Sequence, residues 1–182
     1  MTETLKNRLK AALTKKSFKL FKKALEQAIA ENFDFEAKYN YNQLFEESFN
    51  NYFFKYCYDK KMIVLYIDSV DIDVNILDFM DRTIAESCAA FGNYEGLDLL
   101  LEKYPQIKIK PKLILETLIK ITWYLTNKKL SNRLSIKLID KVKNKKDLNK
   151  TILETTLLNC AISNNHQAIF KKLLSIPEVD LN

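Results

Sequence analysis

The sequence predicts an all-α fold of stacked helix-turn-helix units, and three observations lead there. Glycine and proline are scarce, 2 and 3 in 182 residues, against roughly 7% and 5% in ordinary proteins, which leaves little material for hairpins and long loops. Apolar residues recur at helical spacing, as in Leu5, Leu9, Ala12 and Leu13, then Phe21, Ala24, Leu25 and Ala28. Two distant stretches, one opening at Thr83 and one at Thr156, run through the same order of small residues, tight turn, leucine-rich segment and proline exit. Such repetition marks one supersecondary unit stacked on copies of itself. With 47% apolar residues the chain can bury a core and fits a single solenoid domain over residues 1–182.

Taken in order, residues 1–43 are expected to form an N-terminal helical cap whose amphipathic helices cover the apolar side of the first repeat, as the end unit of a solenoid must. Repeats are expected over 44–77, 78–112, 113–150 and 151–182. The second and fourth are the faithful copies, and Thr117 opens a stretched one between them. Asn127 to Arg133 reads as an insertion that enlarges the turn between that unit's helices. Segments before the threonines read as early helix starts: Asp78 to Asp81, Pro111 to Glu116, where proline suits the first turn, and Thr151 to Glu154, with capping-box spacing.

The residues that carry the repeat resemble ankyrin repeats. The family's Thr-Pro-Leu-His-x-Ala opening is matched by Thr83-Ile-Ala-Glu-Ser-Cys88 and Thr156-Leu-Leu-Asn-Cys-Ala161, and its glycine turn by Gly92-Asn93 and, substituted, Asn165-His166. Leucine-rich second helices follow at Leu97 to Leu101 and Ile169 to Leu174. The family's Asp-Val-Asn ending appears as Asp73-Val-Asn75, Asp147-Leu-Asn149 and Asp180-Leu-Asn182, spaced by 74 and 33 residues. The helix-like segments before the threonines depart from the family and imply reduced or missing β-hairpins. The resemblance then implies a concave surface lined by first helices: Arg82, Glu86 and Ala90; Glu116, Lys120 and Tyr124; Thr155, Asn159 and Ser163. Phe91 and Tyr124 are the natural anchors, because rigid rings dominate binding hot spots, while Trp123 is expected to pack inward. Solvated helix faces are the plain alternative for the polar members.

Nothing in the chain assembles a catalytic or cofactor site. Gly92 and Gly96 are the only glycines, too few for a phosphate-cradling loop. Cys57, Cys88 and Cys160 have no metal-ligand spacing and read as buried small apolar residues, which favours a reducing, cytoplasmic compartment. His166, the only histidine, lies six residues beyond Cys160 across an expected turn, a poor nucleophile–base arrangement. Asp68, Asp71 and Asp73 lack the glycine loop and distal glutamate of a calcium site. The expectation is a non-enzyme with no cofactor and no metal.

The N-terminal helix lacks the apolar core of a signal peptide, and the longest strongly apolar run, Met62 to Ile67, is far short of the roughly 20 residues that span a bilayer. Net charge is +6, but arginine is limited to Arg8, Arg82 and Arg133 and the charges interleave, so nucleic acid is not the expected partner; a basic nucleic-acid-binding solenoid stays as an alternative. The expected partner is another protein. Divergent Lys/Asn-rich ankyrin repeats are similar to those of intracellular bacteria, protozoa and large DNA viruses, which implies action inside a host cell, in the host cytoplasm. The competing reading is a structural or regulatory segment of a larger protein or assembly. The sequence stops at Asp180-Leu-Asn182 without a polar capping helix, which points to continuation or self-association at that end.

Overall fold

A computed structural model describes residues 2–40, 46–78, 80–152 and 154–180. The chain divides into two compact units, Met1–Lys108 and Ile109–Asn182. The first holds three helix pairs: α1 (Thr2–Thr14) with α2 (Phe18–Ala30), α3 (Phe49–Tyr56) with α4 (Lys60–Ser69), and α5 (Ile84–Phe91) with α6 (Tyr94–Lys103). The second holds α7 (Pro111–Tyr124) with α8 (Lys128–Lys141), a 3₁₀ turn over Lys145–Asn149, and α9 (Leu157–Ser163) with α10 (Gln167–Leu174). Within each unit first helices pack on first helices and second on second: α1 on α3 and α3 on α5, α2 on α4 and α4 on α6; then α7 on α9 and α8 on α10.

Local chemistry sets the helix ends. Ser17, Ser48, Asp59, Thr83, Asn93, Asn127 and Thr156 each accept a hydrogen bond from a backbone N–H in the first turn of the following helix, satisfying donors the helix itself cannot. Thr83 and Glu86 close a reciprocal capping box. Three pair turns pass through the left-handed region, at Lys16 (φ 48°), Gly92 (φ 73°) and Asn165 (φ 54°), each just before the residue that starts the second helix. Gly92 meets this demand without a Cβ penalty.

One tie recurs in both units. The Asn93 side chain donates to the Phe54 and Cys57 carbonyls at 2.7 Å each, and His166 Nε2 stands 3.0 Å from the Thr122 carbonyl. Phe54 and Thr122 sit at the same place, three residues before the C-caps Cys57 and Leu125. The N-cap residue of one pair's second helix thus anchors the end of the preceding pair's first helix. Gly96 makes room for this tie, since a Cβ there would lie 2.8 Å from Asn93 Nδ2. Lysine–aspartate pairs repeat in the same way at second-helix ends: Lys103 with Asp68 at 2.8 Å and Lys172 with Asp140 at 2.7 Å.

Several expectations are corrected. Asp78 to Asp81 starts no helix: the Asp78 carboxylate accepts from the Met80 and Arg82 backbone N–H groups, Asp81 has φ 54°, and Phe79 lies outside the described residues. Thr151 to Glu154 starts no helix either; Ile152 bridges Thr155, Glu154 has φ 66°, and Leu153 lies outside the described residues. The region Asn127 to Arg133 is no enlarged turn, since Asn127 caps α8 and the rest is helical. Thr117 caps nothing: Pro111 starts α7 six residues earlier and leaves Thr117 buried inside it. Pro111 does open α7, as its place in the first turn predicts.

One short antiparallel ladder, β1 (Lys38–Asn40) with β2 (Glu46–Ser48), stands between α2 and α3. No strand is found between α4 and α5 or between α6 and α7 among the described residues. The expected 43/44 boundary lies outside the described residues, as do Leu181 and Asn182 at the chain's end. In the last pair Ile169 and Leu173 are buried while Ile162 and Leu174 are exposed.

Candidate interaction surface

The expected anchor Phe91 ends α5 and is 40% exposed. Two cations stand over its ring, Arg82 Cζ at 5.2 Å and Lys55 Nζ at 5.6 Å from the ring centre, a geometry that attracts the quadrupole of the ring. Both cations are in turn held by Asp78: its Oδ2 stands 3.4 Å from Lys55 Nζ and 3.1 Å from Arg82 Nη2, and it accepts from the Ser87 hydroxyl at 2.8 Å. Burial pushes the Asp78 carboxyl up, but the hydrogen bonds from Ser87, Met80 and Arg82 together with the Arg82 charge outweigh it and hold the group below its ordinary value.

Two tyrosines complete the patch. Tyr56, the last residue of α3, is exposed and its ring centre is 6.1 Å from that of Phe91. Tyr58 is exposed too, and its hydroxyl donates to the Phe91 carbonyl at 2.9 Å, occupying an acceptor that the end of α5 leaves open. Beside them lies a recess of about 280 Å³ bordered by Leu13, Lys16, Tyr56, Tyr58 and Met62.

The other expected contact residues are placed as follows. Glu86 is a correction: it is 1% exposed, because the capping box draws its carboxylate onto the Thr83 N–H, so it cannot line an exposed stripe. Arg82 precedes α5 and is partly exposed above Asp78; Ala90 is exposed. On α7, Glu116 and Lys120 are partly exposed and Tyr124 is 67% exposed. Their four-residue spacing keeps them near one helix face, and Glu116 stands 3.9 Å from Lys112. Thr155 lies ahead of α9, in the bridge with Ile152 and in contact with Cys160 Sγ at 3.6 Å; Asn159 and Ser163 are exposed on α9. Trp123 is also a correction: 42% of it is exposed and its ring meets Tyr124 edge-on at 5.8 Å, since Thr122 and Ile121 take the inward positions of that turn.

The three thiols and the histidine are buried. Burial pushes the Cys57 thiol up to about 12 and raises Cys88 and Cys160 as well, the opposite of an activated nucleophile. His166 is buried, which lowers its pKa, and both ring nitrogens are engaged, with Nδ1 3.1 Å from Asn132 Oδ1. Asp68 is taken by Lys103, and no group of three metal-ligating side chains occurs among the described residues. No helix among the described residues is long and apolar enough to cross a membrane.

No family model, curated protein or solved structure matches the chain.

Sequence reasoning missed Tyr56, Tyr58, Lys55 and Asp78. One signal was present: Tyr56, Phe91 and Tyr124 each end a first helix, 35 and 33 residues apart. Aligning on the threonines hides it, because α7 starts in a different place from α5 and α9. Aligning on helix ends reveals it.

Proposed function

We propose that this chain is a non-catalytic, ankyrin-like repeat protein that binds another protein through the first-helix ends of its N-terminal unit. The observation that carries the reading is the Tyr56–Tyr58–Phe91 patch. Three exposed rings stand together over a buried ion network that fixes the central one in place. Large rigid aromatics beside arginine are the side chains that dominate protein-binding hot spots, and holding them before contact reduces the ordering cost of association. The ankyrin-like assignment is supported by the stacked pairs, the threonine caps, the left-handed residues before the second helices and the recurring tie from Asn93 and His166. A reducing, cytoplasmic setting is supported by three unpaired, buried cysteines, and action inside a host cell by the resemblance to divergent Lys/Asn-rich ankyrin repeats.

The test places a photo-crosslinking phenylalanine analogue at position 91 of the full chain, with a second version at exposed Leu77 as control. The reading expects discrete adducts at 91 that are absent at 77 and lost on Tyr56→Ala. Identical adducts at both positions, or none at 91, would reject it.

A further inference from the structure

A second surface belongs to the other unit and rests on observations independent of the aromatic patch. Residues 109–182 carry 14 Lys and Arg against 6 Asp and Glu, net +8, whereas residues 1–108 carry 15 against 17, net −2. A bias toward lysine across the whole sequence would not deplete acids from one unit alone. Helix α8 concentrates the excess, with Lys128, Lys129, Arg133, Lys137 and Lys141 against one acid, Asp140, which Lys172 engages at 2.7 Å. From Lys129 to Lys141 the cations recur every four residues, a step of about 6 Å along the helix with a slow drift around it. All of these cations are exposed or partly exposed. At the helix C-terminus Lys145 donates to the Ile139 carbonyl at 2.6 Å, and Lys143 and Lys146 continue the charge into solvent.

At the other end of α8, across the three-residue turn 125–127, stand Trp123 and Tyr124. They are 42% and 67% exposed, with Lys120, Lys128 and Lys129 close in sequence on either side. Exposed rings leading into a linear run of cations are the two parts of a single-strand site: π-faces on which bases stack, and charges that follow the phosphates. We propose that the α7–α8 surface binds single-stranded nucleic acid without strong sequence preference. The run of charge is a track, which fits a linear polyanion better than a membrane surface, where a helix lies in the interface with an apolar face opposite its charges; in α8 the apolar positions Leu130, Leu134, Leu138 and Ile139 are buried. Its reliance on lysine, with Arg133 the one guanidinium, suits phosphate contact over base reading.

Trp123 is the only tryptophan, so its fluorescence reports this surface alone. Titrating the full chain with an oligothymidylate of about 20 nucleotides in about 50 mM salt is expected to quench Trp123. Heparin should bind without comparable quenching. Replacing Lys129, Arg133 and Lys137 by glutamine should weaken binding more than about tenfold and lower the slope of log affinity against log salt by about 2. Trp123→Ala, followed by anisotropy of labelled oligonucleotide, should cost about tenfold. Unchanged circular dichroism shows that the variants fold, and both substitutions fall on exposed or partly exposed positions. The proposal is overturned by absence of oligonucleotide binding at that salt, by wild-type affinity in the triple variant, by equal quenching with heparin, or by binding to phosphatidylserine vesicles in place of the oligonucleotide.

Discussion

The N-terminal unit buries rings and charges, whereas the C-terminal unit buries branched aliphatics and leaves its charge in water. In the first, Phe21, Phe49, Phe53, Phe54 and Tyr66 are fully buried. Phe53 stacks on Tyr66 at 4.1 Å and on Phe21 at 5.3 Å. A polar chain runs through the same core from Tyr66 to Asn50 to Glu36. In the second, the core is Leu118, Ile121, Leu134, Leu138, Ile139, Leu157 and Ile169, and only Trp123, Tyr124 and Phe170 of the chain's aromatic residues fall there. The same stacking rule, first helix on first and second on second, therefore tolerates two different interiors. What the rule demands is apolar volume at the right helical positions and a tie between consecutive pairs.

The largest expected effect breaks the comparison at its most asymmetric point. Asp78→Ala removes the carboxylate 3.4 Å from the buried Lys55 ammonium, which should destabilise the N-terminal unit by about 3–5 kcal/mol. Hydrogen exchange should show α3 and α5 losing protection while α7 to α10 keep theirs. Equal loss in both units would mean that they do not unfold separately.

Core truncation is next. Phe53→Ala should cost about 3–5 kcal/mol and Leu134→Ala about 2–5, each read by denaturant titration. A similar pattern of protection loss after both would argue that the two cores are one.

The inter-pair tie allows a matched test. Asn93→Ala removes the donor to two buried carbonyls, and His166→Ala removes the donor to one, at an expected cost of about 1–3 kcal/mol each. Gly96→Ala should reproduce part of the Asn93→Ala loss, because the added methyl displaces the Asn93 side chain. Stability unaffected by Gly96→Ala would place the Asn93 tie outside the fold's main supports.

Acid sharpens the contrast further. Asp78 has a folded-state pKa below its unfolded value, so its contribution is complete above about pH 4, the ordinary aspartate value, and is lost as pH falls through the folded value. The N-terminal unit should therefore weaken below about pH 4 in thermal melts, and Asp78→Asn should flatten that dependence. An unchanged profile would separate Asp78 from acid sensitivity. The smallest effects are the caps: Thr83→Ala and Thr156→Ala should each cost about 1 kcal/mol.

Legibility in the sequence followed the range of the interaction. Thr83, Thr156, Gly92 and Asn165 were readable because capping and left-handed backbone leave a residue-type mark within three or four positions. Thr117 misled because Pro111 starts the helix earlier, and a threonine inside a helix looks the same in sequence as one that caps it. Glu86 looked exposed by periodicity alone, although a glutamate three residues after a threonine is a capping-box signature. Trp123 is expected inward beside the stripe, whereas the inward positions of that turn belong to Ile121 and Thr122. The Lys55–Asp78–Arg82 network was not legible, since Lys55 and Asp78 meet only through the packing of α3 on α5. The charge difference between the units was present in the residue order but vanishes in the net value of +6.

The central claim is that the two units present different surfaces to different partners. A single salt series on the full chain tests it most directly, following crosslinking at position 91 and quenching at Trp123 together from about 50 to 300 mM. The account predicts that oligonucleotide affinity at Trp123 falls about a hundredfold, while capture at 91, carried by apolar contact, changes less than about twofold. Parallel loss of both signals, or salt-independent quenching at Trp123, would contradict it.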